Sequence, residues 1–317
     1  MLKKIIIRGL LVLVALLSAL IGGVFAFPDK VLTLAINGER QAAGLVEESI
    51  TVGDLQWHVL SGGTPAADGL PLVLLHGFGG NGDHWTRTAK ALTPKMRVIA
   101  PDLIGFGTSD APSGGDYTIA TQVARLHALL QKMGVTKAHF GGNSMGGWIA
   151  GAYAAAYPDQ VASLWMLNSA GLNTTPSEMA RAMEAGAKLP LVVRSAEEFN
   201  ARMDWVFVTP PPVPGPLKGA LMARDIAKAD HYDAVRVQLY GVSPWLDDLI
   251  PNTAAVDVPA LIVWGDKDRV LHLDGAAALA TLLPKSKVLM MPNIGHCPQL
   301  EVPARAAADY LAWRGTL

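Results

Sequence analysis

The sequence predicts an α/β fold: a mostly parallel sheet with helices on both faces, interrupted once by a helical insertion. Three observations predict it. Short apolar runs of strand length alternate with longer helical stretches. Several of those runs are apolar throughout rather than at every second position, as strands covered on both faces require. The alternation also stops over residues 173–255, where no strand is recognisable, and then resumes.

Taken in order, "SITVGDLQWHVLSGG" (49–63) reads as a hairpin turning at Gly53-Asp54. "LPLVLLHGF" (70–78) is a buried strand, followed by a helix over 83–95 and the strand "RVIAPDL" (97–103). A helix over 118–133 leads to the strand "KAHFGGN" (137–143), and a helix opened by Met145 ends near Tyr157-Pro158. "VASLWMLNSAG" (161–171) is the next strand. Helical stretches then cover 176–188, 195–207 and 217–240, separated by "TPPPVPGP" (209–216), whose prolines exclude a helix and favour a stiff extended link. The strand at "PALIVWGDKD" (259–268), a helix over 273–283, the strand "SKVLMMPN" (286–293) and a helix over 302–313 complete the chain. Residues 49–172 and 256–317 are thus two parts of one core, and 173–255 is a cap, since an insertion of that length is usually functional.

Composition narrows the function classes. The 317 residues carry 26 Lys and Arg against 27 Asp and Glu, a formal net charge of −1, so no basic surface for nucleic acid is expected. The single cysteine, Cys297, excludes an intrachain disulfide. Lys3, Lys4 and Arg8 precede an uncharged apolar run from Gly9 to Phe27. As a helix that run would reach roughly 28 Å, about the hydrocarbon thickness of a bilayer. Residues 1–28 therefore read as a membrane anchor, in preference to a signal cleaved after Val24-Phe25-Ala26. Either way the rest of the chain is expected to be exported: tethered to the inner membrane facing the periplasm or exterior, or secreted if the segment is cleaved.

The chemistry is concentrated in "AHFGGNSMGGWIAG" (138–151), where Gly141, Gly142, Gly146 and Gly147 crowd around Ser144. Glycine weakens strands and helices alike, so four in seven positions need a reason. Gly142-Asn143-Ser144-Met145-Gly146 fits G-x-S-x-G between an expected strand and an expected helix, the setting of a nucleophile on a sharp turn. A serine hydroxyl needs a base to take its proton and an acid to orient that base. His296 and Asp268 each lie just beyond an expected strand, where open α/β sheets place their sites. Asp266 is a less favoured acid, better read as a turn cap. His231 and His272 are less favoured bases, one in the insertion and one at a helix start. His76 reads as a brace for its loop, His84 and Trp85 as packing, Asp102 as a turn carboxylate and Cys297 as a small packed residue. No cluster has metal-ligand spacing and no phosphate-binding loop is present, so no cofactor is expected.

With these residues in place, the chain resembles the α/β-hydrolase superfamily over 49–317. The blocks "HGFGG", "PDLIGFGTSD", "GNSMGGWIAGAYAAAYPDQV", "WGDKDRV" and "NIGHCPQLEVP" occur in the family's order. It is most similar to the membrane-anchored monoacylglycerol lipases and their bacterial lipase and esterase relatives. The resemblance implies an eight-stranded sheet, the chain order Ser144, Asp268, His296, and ester hydrolysis through an acyl-enzyme on Ser144. It also implies an oxyanion hole made by the backbone N–H groups of Phe78 and Met145, and a small acyl ester or lipid as substrate. Hydrolases of the carbon–carbon bond in meta-cleavage products share the "NSMGG" elbow, but typically carry an aromatic residue where Cys297 stands. A non-catalytic binding protein of the same fold is the third reading. Within the cap, Trp205 and Phe207 are the candidate substrate-binding residues, in an insertion rich in apolar side chains and methionine.

Overall fold

A computed structural model describes residues 22–317. Of the expected anchor over 1–28, residues 1–21 lie outside them. Among the described residues no helix is long and apolar enough to cross a membrane.

Eight strands form one sheet: β1 (Leu45–Val52), β2 (Leu55–Gly62), β3 (Leu72–Leu75), β4 (Val98–Pro101), β5 (Ala138–Ser144), β6 (Val161–Ser169), β7 (Ala260–Gly265) and β8 (Ser286–Met291). Their spatial order is β1-β2-β4-β3-β5-β6-β7-β8. The hairpin β1–β2 is antiparallel and β2 runs antiparallel to β4, while β3 through β8 are parallel. Strands β3, β4, β5 and β7 are buried at every position. The uniformly apolar runs of β3, β4 and β7 follow from that cover on both faces.

Between the strands of the core lie α2 (Thr86–Leu92), α3 (Ile119–Lys132), α4 (Met145–Ala156) and, later, α10 (Gly275–Leu282); α11 (Pro298–Glu301) and α12 (Pro303–Arg314) follow the last strand. Helices α3, α4 and α10 pack on one face of the sheet, α2 and α12 on the other. Ten of the twelve residues of α4 are buried, and small residues at Gly146, Gly147 and Gly151 let it lie close to the sheet. Trp165 of β6 stacks on Tyr310 of α12, ring centroids 4.5 Å apart, and five tryptophans are under 2 % exposed. Side chains of that size remove roughly 150–250 Å² each from water.

Between β6 and β7 come five helices and no strand: α5 (Glu178–Glu184), α6 (Ala196–Val206), α7 (Gly215–Ile226), α8 (Ala229–Val242) and α9 (Leu246–Leu249). The stretch 217–240, expected as one helix, is broken around Ala227-Lys228, where Lys228 turns its ammonium to the Gly107 carbonyl. The helix expected over 83–95 is shorter. A 3-10 turn over Gly82–Trp85 precedes it, fixed by Asn81 Oδ1 accepting from Asp83 N and by Asp102 accepting from Gly82 N.

The sequence reading left 29–48 unassigned, and the structure fills that gap. α1 (Pro28–Ala42) begins with proline in its first turn, and β1 begins at Leu45 rather than at 49. Leu32 of α1, with Val31 and Ile36 beside it, packs on Leu217, Ala220 and Leu221 of α7. At its other end Arg40 donates to both oxygens of Asp83 at 2.6 and 2.9 Å and to Glu47 at 2.5 Å. The helix thus touches the insertion at one end and the loop before α2 at the other.

Candidate active site

β5 ends at Ser144 and α4 starts at Met145, so strand and helix meet with no linker. Ser144 is left to make the whole turn, with φ 55° and ψ −120°. A non-glycine residue held at such a φ costs on the order of 1–3 kcal/mol and persists only where the surroundings enforce it. The four glycines are what let them. A Cβ on Gly142 would lie 2.2 Å from the Gly146 carbonyl oxygen, and one on Gly146 would lie 2.1 Å from that of Leu75. On Gly147 it would meet Ser169 Oγ at 2.5 Å, and on Gly141 a methyl of Leu74 at 2.7 Å.

His296 and Asp268 meet across two loops, with His296 Nδ1 2.9 Å from Asp268 Oδ2. The Asp268 carboxylate is fully buried and accepts three further hydrogen bonds. Oδ1 takes the N–H groups of Val270 (2.8 Å) and Leu271 (3.0 Å), and Oδ2 takes Asn168 Nδ2 (2.7 Å). A carboxylate so held makes Nδ1 of His296 the protonated nitrogen and leaves the lone pair on Nε2. Ser144 and His296 are 5 % and 4 % exposed. Among the described residues Ser144 Oγ makes no direct hydrogen bond to His296; their neighbours make the connection. Asn143 Nδ2 donates to the carbonyl oxygens of His296 (2.9 Å) and Leu167 (3.1 Å), and its Oδ1 accepts from Gln299 Nε2 at 3.0 Å.

The loop after β3 lies against the elbow, since a Cβ on Gly77 would be 3.3 Å from Ser144 Cβ. Among the described residues neither the Phe78 nor the Met145 N–H donates to a protein acceptor. That leaves two free donors beside Ser144, one of them at the positive end of α4. His76 Nδ1 donates to the Gly77 carbonyl at 2.8 Å and Nε2 accepts from Leu103 N at 3.0 Å. Burial holds this imidazole below the ordinary histidine pKa, so it stays a neutral brace.

The less favoured candidates are occupied elsewhere. Asp266 accepts from Asn293 N at 2.6 Å, His231 meets the Gly105 carbonyl at 2.8 Å and His272 lies 2.8 Å from Asp274. Asp102 accepts from Gly82 N and Thr108 N at 2.7 and 2.8 Å. Burial raises the pKa of the Cys297 thiol far above its ordinary value, so it is no nucleophile.

Comparison with known proteins agrees with this fold. A family model described as alpha/beta hydrolase fold matches residues 71–195. Lipase 1 of Psychrobacter immobilis is 38% identical over 288 residues, covering 89% of this chain and 88% of that protein. The chain belongs to the α/β-hydrolase family. The monoacylglycerol lipase ABHD6 of Mus musculus is 30% identical over 253 residues, 76% of this chain and 75% of that protein. Among solved structures, one described as a membrane phospholipase A and bacterial virulence factor superposes with TM-score 0.87 at 38% identity, covering 98% of both chains.

In this hydrolase Trp205 and Phe207 stand at the end of α6, half-buried. They belong to an apolar cluster with Met179, Val206, Val270 and Cys297, the last two next to or within two residues of Asp268 and His296. Two site residues escaped the sequence reading. Asn143 is named there only as a position in the G-x-S-x-G stretch and Asn168 stands only inside a quoted block, although each is a buried amide in a central strand. The pairing of β5 with β6 shifts between Asn143 and Ser144, skipping Asn168, which takes φ 42°. Such a bulge re-aims a side chain, here toward Asp268. A polar amide inside "WMLNSAG" was the available signal.

Proposed function

We propose that this chain is a serine carboxylic ester hydrolase acting on acylglycerols or similar small lipid esters through an acyl-enzyme on Ser144. The observation that carries the reading is the buried His296–Asp268 pair at the same sheet edge as a positive-φ serine heading a helix. Ser144 Oγ attacks the ester carbonyl carbon while His296 Nε2 takes its proton. Asp268 keeps the imidazole in the required tautomer and stabilises the imidazolium. The N–H groups of Phe78 and Met145 receive the tetrahedral oxyanion, and collapse expels an alkoxide that takes the proton from His296. Water, activated by the same imidazole, then releases the fatty acid. Catalytic hydrogen bonds are often open in unliganded enzymes, and the Ser144–His296 contact closes as the substrate settles.

Because serine and imidazole are nearly sealed from solvent, the cap must move to admit substrate. The similarity to lipases favours ester hydrolysis over carbon–carbon cleavage or a binding role. We further propose that residues 1–28 tether the enzyme, exported, at a membrane. Cell fractionation that finds the protein in the cytosol overturns that part. For the reaction, a fluorophosphonate should label Ser144, and kcat/KM should rise from short to medium acyl chains. An unlabelled Ser144 ends the acyl-enzyme mechanism, and a flat chain-length profile ends the lipid assignment.

A further inference from the structure

Glu301, at the end of α11, is only half-buried, yet both of its carboxylate oxygens face backbone N–H groups. Oε1 accepts from Gly295 N at 2.7 Å, on the loop that carries His296. Oε2 accepts from Val208 N at 3.1 Å and Thr209 N at 3.0 Å, on the segment that leaves cap helix α6. A fourth hydrogen bond runs directly between the same two segments, from His296 N to the Val206 carbonyl at 2.8 Å. The fit leaves no slack: a Cβ on Gly295 would lie 2.7 Å from Val206 O and 2.8 Å from Glu301 Oε1. The acid loop holds the same stretch from the other side. Arg269 donates to the Asp204 carbonyl at 3.1 Å, and its guanidinium lies 4.2 Å from the Trp205 ring centroid.

A carboxylate that gathers three backbone N–H groups from two segments fixes their separation, and charge-assisted bonds of this kind are about twice as strong as neutral ones. We propose that Glu301 is a positioning residue that mounts the general base and the acyl-contacting end of α6 on one rigid unit, so that the fit of the acyl chain between Trp205 and Phe207 sets the placement of His296. This rests on the ester-hydrolase reading. It makes acyl-chain selectivity a property of a residue that touches neither substrate nor Ser144.

The test compares Glu301→Ala, Glu301→Gln and Gly295→Ala with the wild-type chain on acetyl and decanoyl nitrophenyl esters. In parallel, hydrogen exchange is followed in peptides spanning 206–209 and 294–296. Loss of the latch should lower the decanoyl-to-acetyl ratio of kcat/KM about tenfold in the alanine variant, the worth of one charged hydrogen bond. The glutamine variant, which keeps one acceptor oxygen, should fall between it and wild type. Exchange in both segments should rise together while β5 and β7 stay protected. A ratio within twofold of wild type, or faster exchange in one segment only, overturns the proposal. A role confined to loop stability would lower both esters alike. If the substitutions unfold the chain, the wild type decides: a decyl phosphonate on Ser144 should slow exchange in both segments and a methyl phosphonate should not. Equal exchange with the two adducts overturns it. The exchange arm does not require ester turnover, so a wild-type chain that is inert toward esters would count against the functional reading and not against the latch.

Discussion

The sheet carries two Ser-His-Asp groups, one at each end of β5 and β6. At the carboxyl end are Ser144, His296 and Asp268. At the amino end Ser163 Oγ lies 2.7 Å from His139 Nδ1, and His139 Nε2 lies 3.0 Å from Asp68 Oδ2. Judged by hydrogen bonds alone the second group is the more complete, since its serine and histidine touch. Everything around it differs. Ser163 sits within a strand, 1 % exposed, without an elbow or a helix start beside it. Asp68 is shared with Arg314, which lies 2.6 Å away and ties the end of α12 to this corner. Among the described residues, what sets the proposed nucleophile apart is not composition or contact but a strained turn, a carboxylate shared with no arginine or lysine, and two N–H groups without a protein acceptor beside it.

The sharpest way to break the contrast is Ser144→Ala. Ester turnover should fall by about four orders of magnitude or more, as losses of triad serines do. Steady-state hydrolysis with active-site titration checks it, and residual turnover near wild type would move the nucleophile elsewhere. Gly146→Ala probes the elbow itself. Its methyl cannot fit 2.1 Å from the Leu75 oxygen, so the turn must shift, at a cost of about 3 kcal/mol or more. Denaturant unfolding should show the loss, together with failure of phosphonate labelling.

Asn168→Ala is expected to be milder. It removes one of four bonds to Asp268, and a hydrogen bond to a charged group is worth roughly 1.5–3 kcal/mol, so kcat should fall about 10- to 100-fold with KM little changed. Ser163→Ala gives the smallest effect. Activity should stay within about twofold and stability should drop by about 1 kcal/mol, the usual worth of one hydrogen bond. A large catalytic defect there would erase the distinction between the two groups.

Acidity sharpens the same comparison. Burial, joined by the charge of Arg314, holds His139 below the ordinary histidine pKa against the pull of Asp68. A histidine with a depressed folded-state pKa binds its proton more readily when unfolded, so it supports the fold fully above about pH 6.5 and less as pH falls below that. His139→Gln should flatten that acid-side slope in unfolding measured between pH 7 and 5. An unchanged slope would assign the acid sensitivity elsewhere.

Much of this was legible in the chain. Each proposed catalytic residue stands at the end of an apolar run, so strand periodicity, joined with the G-x-S-x-G stretch and the order Ser, acid, His, pointed to Ser144, Asp268 and His296 at one sheet edge. The glycines around Ser144 were visible as an anomaly before any neighbour was known. The roles of Asn143, Asn168 and Glu301 were not legible, because each depends on partners about 90 to 156 residues away or on a bulge that only strand pairing reveals. α1 was missed for a different reason. Its short apolar stripe faces α7, nearly two hundred residues away in the chain, and it follows an apolar run that dominates the reading of the N-terminus.

That helix has a practical corollary. A protein trimmed to begin at Ser49, where the hairpin was first expected, would leave Leu217, Ala220 and Leu221 wetted and Asp83 without its guanidinium partner. Recombinant preparations that keep Pro28 onward should stay monodisperse, whereas the shorter form should clump on concentration, with its greasy helix flank looking for a substitute lining.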